Sequence, residues 1–318
     1  MKRLALLVGI AMGLGCAKTP TSPAGGGTIG NTPAGPVERA LLGEDDLLAM
    51  MPVETDWVVH ADADLLRTSA LGRRFEPRLR ARFEEILTKL AELCGVDLLT
   101  SITSGYVSGQ SGGQDVVVIA RGPDRAVIGG CLTKLADATK GVRIVIDGDF
   151  VELDDGDRTG FLFVDDRTTI GVMRGGVSAS RAELAAVGAA RAGDGLTSSP
   201  AFRKLLDRVD RDAALWMLVN GRFETLRNLP VKLDAIYADV RVGDGIDGRL
   251  VFAMRGASEA DALAGMLRPQ LDQLRTTPYA GLVAQVEIAV EADEVAIRFR
   301  LDAAQIDQIV ALVAPLFP

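Results

Sequence analysis

The sequence predicts an α+β protein made of two divergent tandem units, each an antiparallel sheet with helices packed on one face. Three observations predict it. Short alternating runs are separated by Asp-Gly, Gly-Asp-Gly and other Gly-rich turns, the pattern of antiparallel strands joined as hairpins. Between them lie stretches whose apolar residues recur at three- and four-residue steps, the pattern of helices that cover one face of a sheet. The order of elements also repeats. Sliding the chain by 134 residues aligns Gly109 with Gly243, Val117 with Val251, Arg121 with Arg255, Gly122 with Gly256 and Ala126 with Ala260.

In order along the body, an apolar helical stretch around Leu41 to Met51 precedes a strand over 57–63. The spacing of Phe75, Leu79, Phe83, Ile86, Leu90 and Leu93 predicts an amphipathic helix over 75–94, ended by Gly95. Strands near 102–108 and 115–121 flank the turn Gly109 to Gln114, and a helix capped by Asp124 runs to about 139. Four short strands follow, near 142–146, 151–153, 160–164 and 169–173, then helices over 179–190 and 200–209. The second half replays this with strands over 214–219, 232–242 and 248–255 and a helix over 259–276. A hairpin of 283–290 and 295–301 and a last helix over 303–316 complete it. The expected segments are 1–15 as a leader, 16–37 as a tether, 38–211 as the first unit and 212–318 as the second.

The opening MKRLALLVGIAMGLGC joins a basic start, Lys2 and Arg3, to an apolar run from Leu4 to Leu14 that is too short to span a bilayer. Its end, Gly15-Cys16, resembles the lipobox of bacterial lipoproteins, departing from it at Gly13 and Leu14. The resemblance implies cleavage before Cys16, lipidation of Cys16 and a membrane anchor at that residue. Ala17, standing where Asp would mark inner-membrane retention, implies the outer membrane, with the body in the periplasm or at the cell surface. Residues 17–37 are rich in Pro, Gly, Thr and Ser and lack any apolar period, so they read as a tether with a reach of about 25 Å. A diacylated, amide-acylated cysteine buries many methylenes at about 0.8 kcal/mol each, which makes attachment permanent in practice. From Glu38 onward no stretch holds 18 uninterrupted apolar residues. A second resemblance, to uncharacterised exported lipoproteins of high-GC bacteria, rests on Pro52, Asp56, Asp62, Asp64, Leu65, Leu66, Arg67, Ser69, Leu71 and Gly72. It implies no activity.

Composition narrows the function. A net charge of -8 repels phosphate backbones and argues against nucleic acid as a partner. With aromatic content at 5%, the cores are expected to be aliphatic rather than built as aromatic ligand cages. The sole histidine leaves little for catalysis. Gly109-Gln110-Ser111-Gly112-Gly113 fits G-x-S-x-G, but Ser111 falls in a hairpin turn instead of between strand and helix, and His60 precedes it by 51 residues. His60, Asp62 and Asp64 alternate along one strand and together form a set of divalent-metal type. Capping of the next turn by Asp64 and of strand-end donors by Asp62 is the structural alternative, and it is the reading adopted. Asp155, Asp157, Thr159, Gly160 and Asp166 match an EF-hand spacing, yet a strand crosses the would-be loop and no helix flanks it.

With Cys16 lipidated, Cys94 and Cys131 are the remaining thiols, in a compartment where disulfides persist. Two readings stand: a bridge between antiparallel helices, or two separately buried thiols. No cofactor is expected. The function this supports is a non-enzymatic, lipid-anchored envelope protein that binds or scaffolds another envelope protein or polymer. The alternatives are a carrier of a small apolar ligand or lipid, marked by a continuous apolar cavity, and a hydrolase, marked by an acid and a base beside Ser111.

Overall fold

Ser69, Ser180 and Ser199 each start a helix, their hydroxyls accepting the N–H groups of Gly72, Glu183 and Phe202. The computed structural model describes residues 40–110, 115–138, 142–154, 158–221, 223 and 231–313. Its first elements are α1 (Glu44–Ala49), β1 (Trp57–Asp62), α2 (Ala63–Thr68), α3 (Ala70–Arg82), α4 (Glu84–Cys94) and α5 (Leu98–Ser101). They lead into β2 (Ser104–Gly109), β3 (Val116–Arg121), α6 (Arg125–Ala138), β4 (Arg143–Asp147), β5 (Phe150–Asp154), β6 (Arg158–Phe163), β7 (Thr168–Arg174) and β8 (Val177–Ser178). Then come α7 (Arg181–Gly188), α8 (Pro200–Leu206), β9 (Leu215–Asn220), β10 (Leu233–Val242) and β11 (Ile246–Met254). The last are α9 (Ala257–Leu274), α10 (Ala280–Val283), β12 (Val286–Glu291), β13 (Glu294–Leu301) and α11 (Ala303–Val313). The α+β class is as the sequence predicts.

The chain divides into two compact units, but not at the single cut of 211/212. The first unit takes residues 1–53, 86–107 and 113–198; the second takes 54–85, 108–112 and 199–318. The physical reason is the partner of β1, which pairs antiparallel with β9 through His60 opposite Trp216, so residues 54–85 belong with the later chain. The same division explains a second difference. The helix expected over 75–94 is two helices, with Phe83 leaving helical geometry at φ -110° and ψ 15°. Leu71 and Phe75 of α3 pack into the second unit's core, while Leu87 of α4 is buried in the first unit's part of the chain.

In the first unit the strands lie in the order β2-β3-β7-β6-β5-β4, and the pairs from β3 to β4 are antiparallel. Leu132 and Ile128 of α6 pack on Val151, Leu153, Phe161 and Phe163. Residues one step along, such as Leu162, point to the other face, where Gly188 of α7 comes close to them. Leu47, Leu48, Met50 and Met51 at α1 are buried as well. The amino-terminal end of this body is clasped: the Leu42 N–H donates to Asp165 Oδ2 at 3.0 Å, and the Arg121 guanidinium donates to the Leu42 carbonyl. Asp165, only 1% exposed, also accepts from the Arg167 N–H at 2.8 Å and the Thr168 hydroxyl at 2.9 Å, so its burial is satisfied.

In the second unit the order is β12-β13-β11-β10-β9-β1. Leu263 and Ala264 of α9 pack on Val295 and Met254, with Phe252, Ile288 and Val290 against them. Ala70 at the start of α3 and Ile306 and Val310 of α11 pack on Ile246 and Leu301. The alternate residues of β10, β11 and β13 form the opposite face, where Asp239 stands across from Arg249 and Arg249 across from Arg298.

Candidate functional site

Cys16, the residue singled out for lipidation, lies outside the described residues, as do Ser111 to Gly113 of the G-x-S-x-G run and Asp155 and Asp157 of the EF-hand-like run. Of the latter's described residues, Thr159 and Gly160 sit in β6 and Asp166 in the bend between β6 and β7.

His60, Asp62 and Asp64 are not brought together as ligands. His60 is 7% exposed, with its ring 5.4 Å from that of Trp216. Asp62 ends β1 and caps α2, accepting the Leu65 N–H at 2.8 Å. The strand alternation that would have aligned all three stops there. Asp64 is already on the helix, paired with Arg67. The cap is thus Asp62 rather than Asp64, because the helix begins at Ala63, two residues earlier than the turn read from the sequence. Among the described residues no group of three His, Cys, Asp or Glu side chains is placed to hold a metal ion.

Cys94 and Cys131 form a disulfide, with their Cα atoms 4.7 Å apart. The bond ties the last residue of α4 to the second turn of α6, inside the first unit. Of the two readings left open by the sequence, the structure takes the bridge.

The densest polar arrangement, which sequence reasoning missed, lies on the second unit's charged face. The Tyr237 hydroxyl donates to Glu294 Oε2 at 2.9 Å, and Glu294 also pairs with Arg208. Arg249 donates to Asp239 Oδ2 at 2.6 Å and to the Arg208 carbonyl at 2.7 Å, and its guanidinium lies over the Tyr237 ring at 5.6 Å. Burial first, then the Glu294 hydrogen bond, pushes the Tyr237 hydroxyl up to about 12. A tyrosine raised this far is a poor proton donor at neutral pH. Arg241 to Asp210, Arg298 to Glu291 and Arg300 to Asp247 extend the pairing outward. Each of these arginines has its own carboxylate, so the group acts as a lattice holding residues 208–210 on the sheet, with no cation left for an anionic ligand.

A cleft of about 520 Å³ lies at the other face of the same unit, between α9 and β12. Arg268, Leu271, Asp272 and Arg275 form one wall, and Gln285, Val286, Glu287 and Ile288 form much of the other. It is open and rimmed by charge, unlike the enclosed apolar cavity that would mark a lipid carrier. No helix among the described residues is long and apolar enough to cross a membrane.

No family model matches the chain, and no curated protein matches it. Solved structures of TP0453 are similar. Crystal form III superposes with a TM-score of 0.52 over 83% of this chain and 97% of TP0453, and form I with 0.52 over 86% and 98%. Form IV gives 0.50 over 83% and 96%. Identity is 12% in each case, so the likeness is one of fold.

Proposed function

We propose that this chain is a lipid-anchored bacterial envelope protein that binds or scaffolds another envelope component and performs no chemistry of its own. The observation that carries the reading is the Cys94–Cys131 disulfide, because such a bond persists in oxidising, exported compartments and is reduced in the cytosol. It agrees with the export signal read from Lys2, Arg3 and the short apolar run ahead of Gly15-Cys16. The non-enzymatic part of the reading is supported by the histidine: His60, the single imidazole in the sequence, is buried against Trp216 and precedes Ser111 by 51 residues.

Anchoring at Cys16 and residence at the outer membrane follow from the lipobox resemblance and Ala17. The test is fractionation of intact cells with radiolabelled palmitate. The native chain should incorporate label and sediment with membranes, while Cys16→Ala should lose the label and appear in the soluble periplasmic fraction. A Cys16→Ala protein still held tightly in membranes would overturn the anchor.

A further inference from the structure

We infer that the outer edge of β12 is a docking site for an extended segment of a partner protein, added as one more strand beside the cleft. This deepens the binding-or-scaffolding reading and rests on it. Among the described residues β12 ends the second unit's strand order, with β13 on one side and no strand on the other.

The ladder fixes which backbone groups are left. The Arg300 N–H donates to the Gln285 carbonyl at 3.4 Å, so the odd-numbered residues of this strand turn their backbone groups toward β13. Val286, Ile288 and Val290 therefore turn theirs outward. Val286 confirms the parity, since its carbonyl accepts from the Arg275 guanidinium at 3.1 Å on that outer side. The N–H and C=O groups of Ile288 and Val290 remain, bonded to no described residue. Alternating donors and acceptors along an extended backbone are matched by another extended backbone, which makes the occupant a peptide.

Side chains define the kind of peptide. Ile288 and Val290 face α9, and the cleft continues that apolar strip to Leu271. Glu287 and Glu291 are exposed on the opposite face of the same strand. Glu291 pairs with Arg298, and Glu287 stands directly across the ladder from that same Arg298, so two exposed carboxylates share one cation and this face of the strand keeps an excess of negative charge. An added strand sets its residues alternately over these two faces. Those beside Val286 and Ile288 enter the cleft and should be apolar; those beside Glu287 and Glu291 should be Lys or Arg. A second copy of β12 brings glutamates instead, so a basic, amphipathic strand from a different protein is the better match.

The test uses the full-length protein in detergent and a fluorescent ten-residue peptide of alternating Lys and Val, read by anisotropy. Binding should weaken at least tenfold for three changes: a Glu/Val peptide of the same pattern, a Lys/Val peptide N-methylated at alternate amides, and Glu287→Lys in the protein. Ile288→Pro, which removes an outward N–H and no bond to β13, should do the same. If this proline substitution disturbs the fold, Glu287→Lys at an exposed site still decides. Equal binding by the N-methylated peptide, or binding indifferent to both variants, overturns the site. So does a concentration-dependent dimer abolished by Glu287→Lys without peptide capture, which would make a second copy the occupant. A Cys16→Ala protein retained in membranes would remove the anchor and leave the peptide result standing, so the two failures are distinguishable.

Discussion

The two units share a succession of elements and differ in what holds it. Each has an opening pair of strands, a long helix, and a later run of strands whose last member returns beside the second strand of the pair: β7 beside β3, and β13 beside β11. The aligned residues follow suit, with Val117 and Val251 in those second strands and Ala126 and Ala260 in the first turns of the helices. Among the described residues, the first unit has four strands from its long helix to the returning strand, with the short β8 also paired to β7, where the second has two. Its helix α6 is bonded covalently to α4, while α9 of the second unit has only packing, and a lattice of arginines and carboxylates covers that unit's opposite face. A disulfide acts mainly by restricting the unfolded chain and is indifferent to pH. A lattice of ionisable groups works only while its members keep their protonation states. One topology can therefore carry two kinds of vulnerability.

The largest expected effect comes from cutting the covalent link. Cys94→Ser with Cys131→Ser opens a loop spanning 37 positions, for which chain entropy gives a loss of about 4 kcal/mol. Both tryptophans of the chain, Trp57 and Trp216, belong to the second unit, so their emission reports that unit while far-UV circular dichroism reports both. In urea, part of the dichroism transition should move to lower concentration with the emission midpoint unchanged. An equal fall in both would break the contrast between units.

Alkaline titration probes the other side. Tyr237 is 2% exposed and raised to about 12, whereas an unfolded tyrosine ionises near 10. Below pH 10 both states keep the proton and the contribution is complete. From there to about pH 12 the unfolded chain releases it and the folded one does not, so stability falls as pH rises. The emission midpoint in urea should decline across that window, and Tyr237→Phe should flatten the decline. An unchanged slope in the variant would detach Tyr237 from it.

The smallest effect separates two hairpin turns. Gly148, between β4 and β5, has φ +63°, and Ala292, between β12 and β13, has φ +57°. The left-handed region costs an L-residue about 1 kcal/mol or more, partly offset in glycine by the freedom it regains when unfolded. Ala292→Gly should stabilise the second unit by about 0.5 kcal/mol, and Gly148→Ala should cost the first about 1 kcal/mol, both read from urea midpoints. Matching signs for the two changes would contradict the account.

Local pattern made much of this legible. The Asp-Gly turns marked the hairpin of β4 and β5, the three- and four-residue spacing marked α6 and α9, and Gly95, at φ +67°, ends α4 as its place in the sequence suggested. What depended on distant partners was hidden. The alternation of Val58 and His60 signals a half-buried strand, but nothing in residues 57–62 names β9 as its neighbour, and with that pairing went the unit boundary and the break at Phe83. The run from Val286 to Glu291 reads as one arm of a hairpin. That it stands at an edge, with Arg275 over one of its carbonyls, depends on the order of strands far away in the chain. The thiols were an intermediate case: the helices carrying them were legible, and the 4.7 Å between Cys94 and Cys131 was left to the packing.

The clasp on Leu42 has a mechanical consequence. Because its amide is held by buried Asp165 and its carbonyl by Arg121 at the end of β3, a pull arriving from the amino-terminal side meets the sheet rather than a fraying end. The load enters across hydrogen bonds that must fail together. Residue 42 is therefore the fixed point at which such a pull enters the first unit.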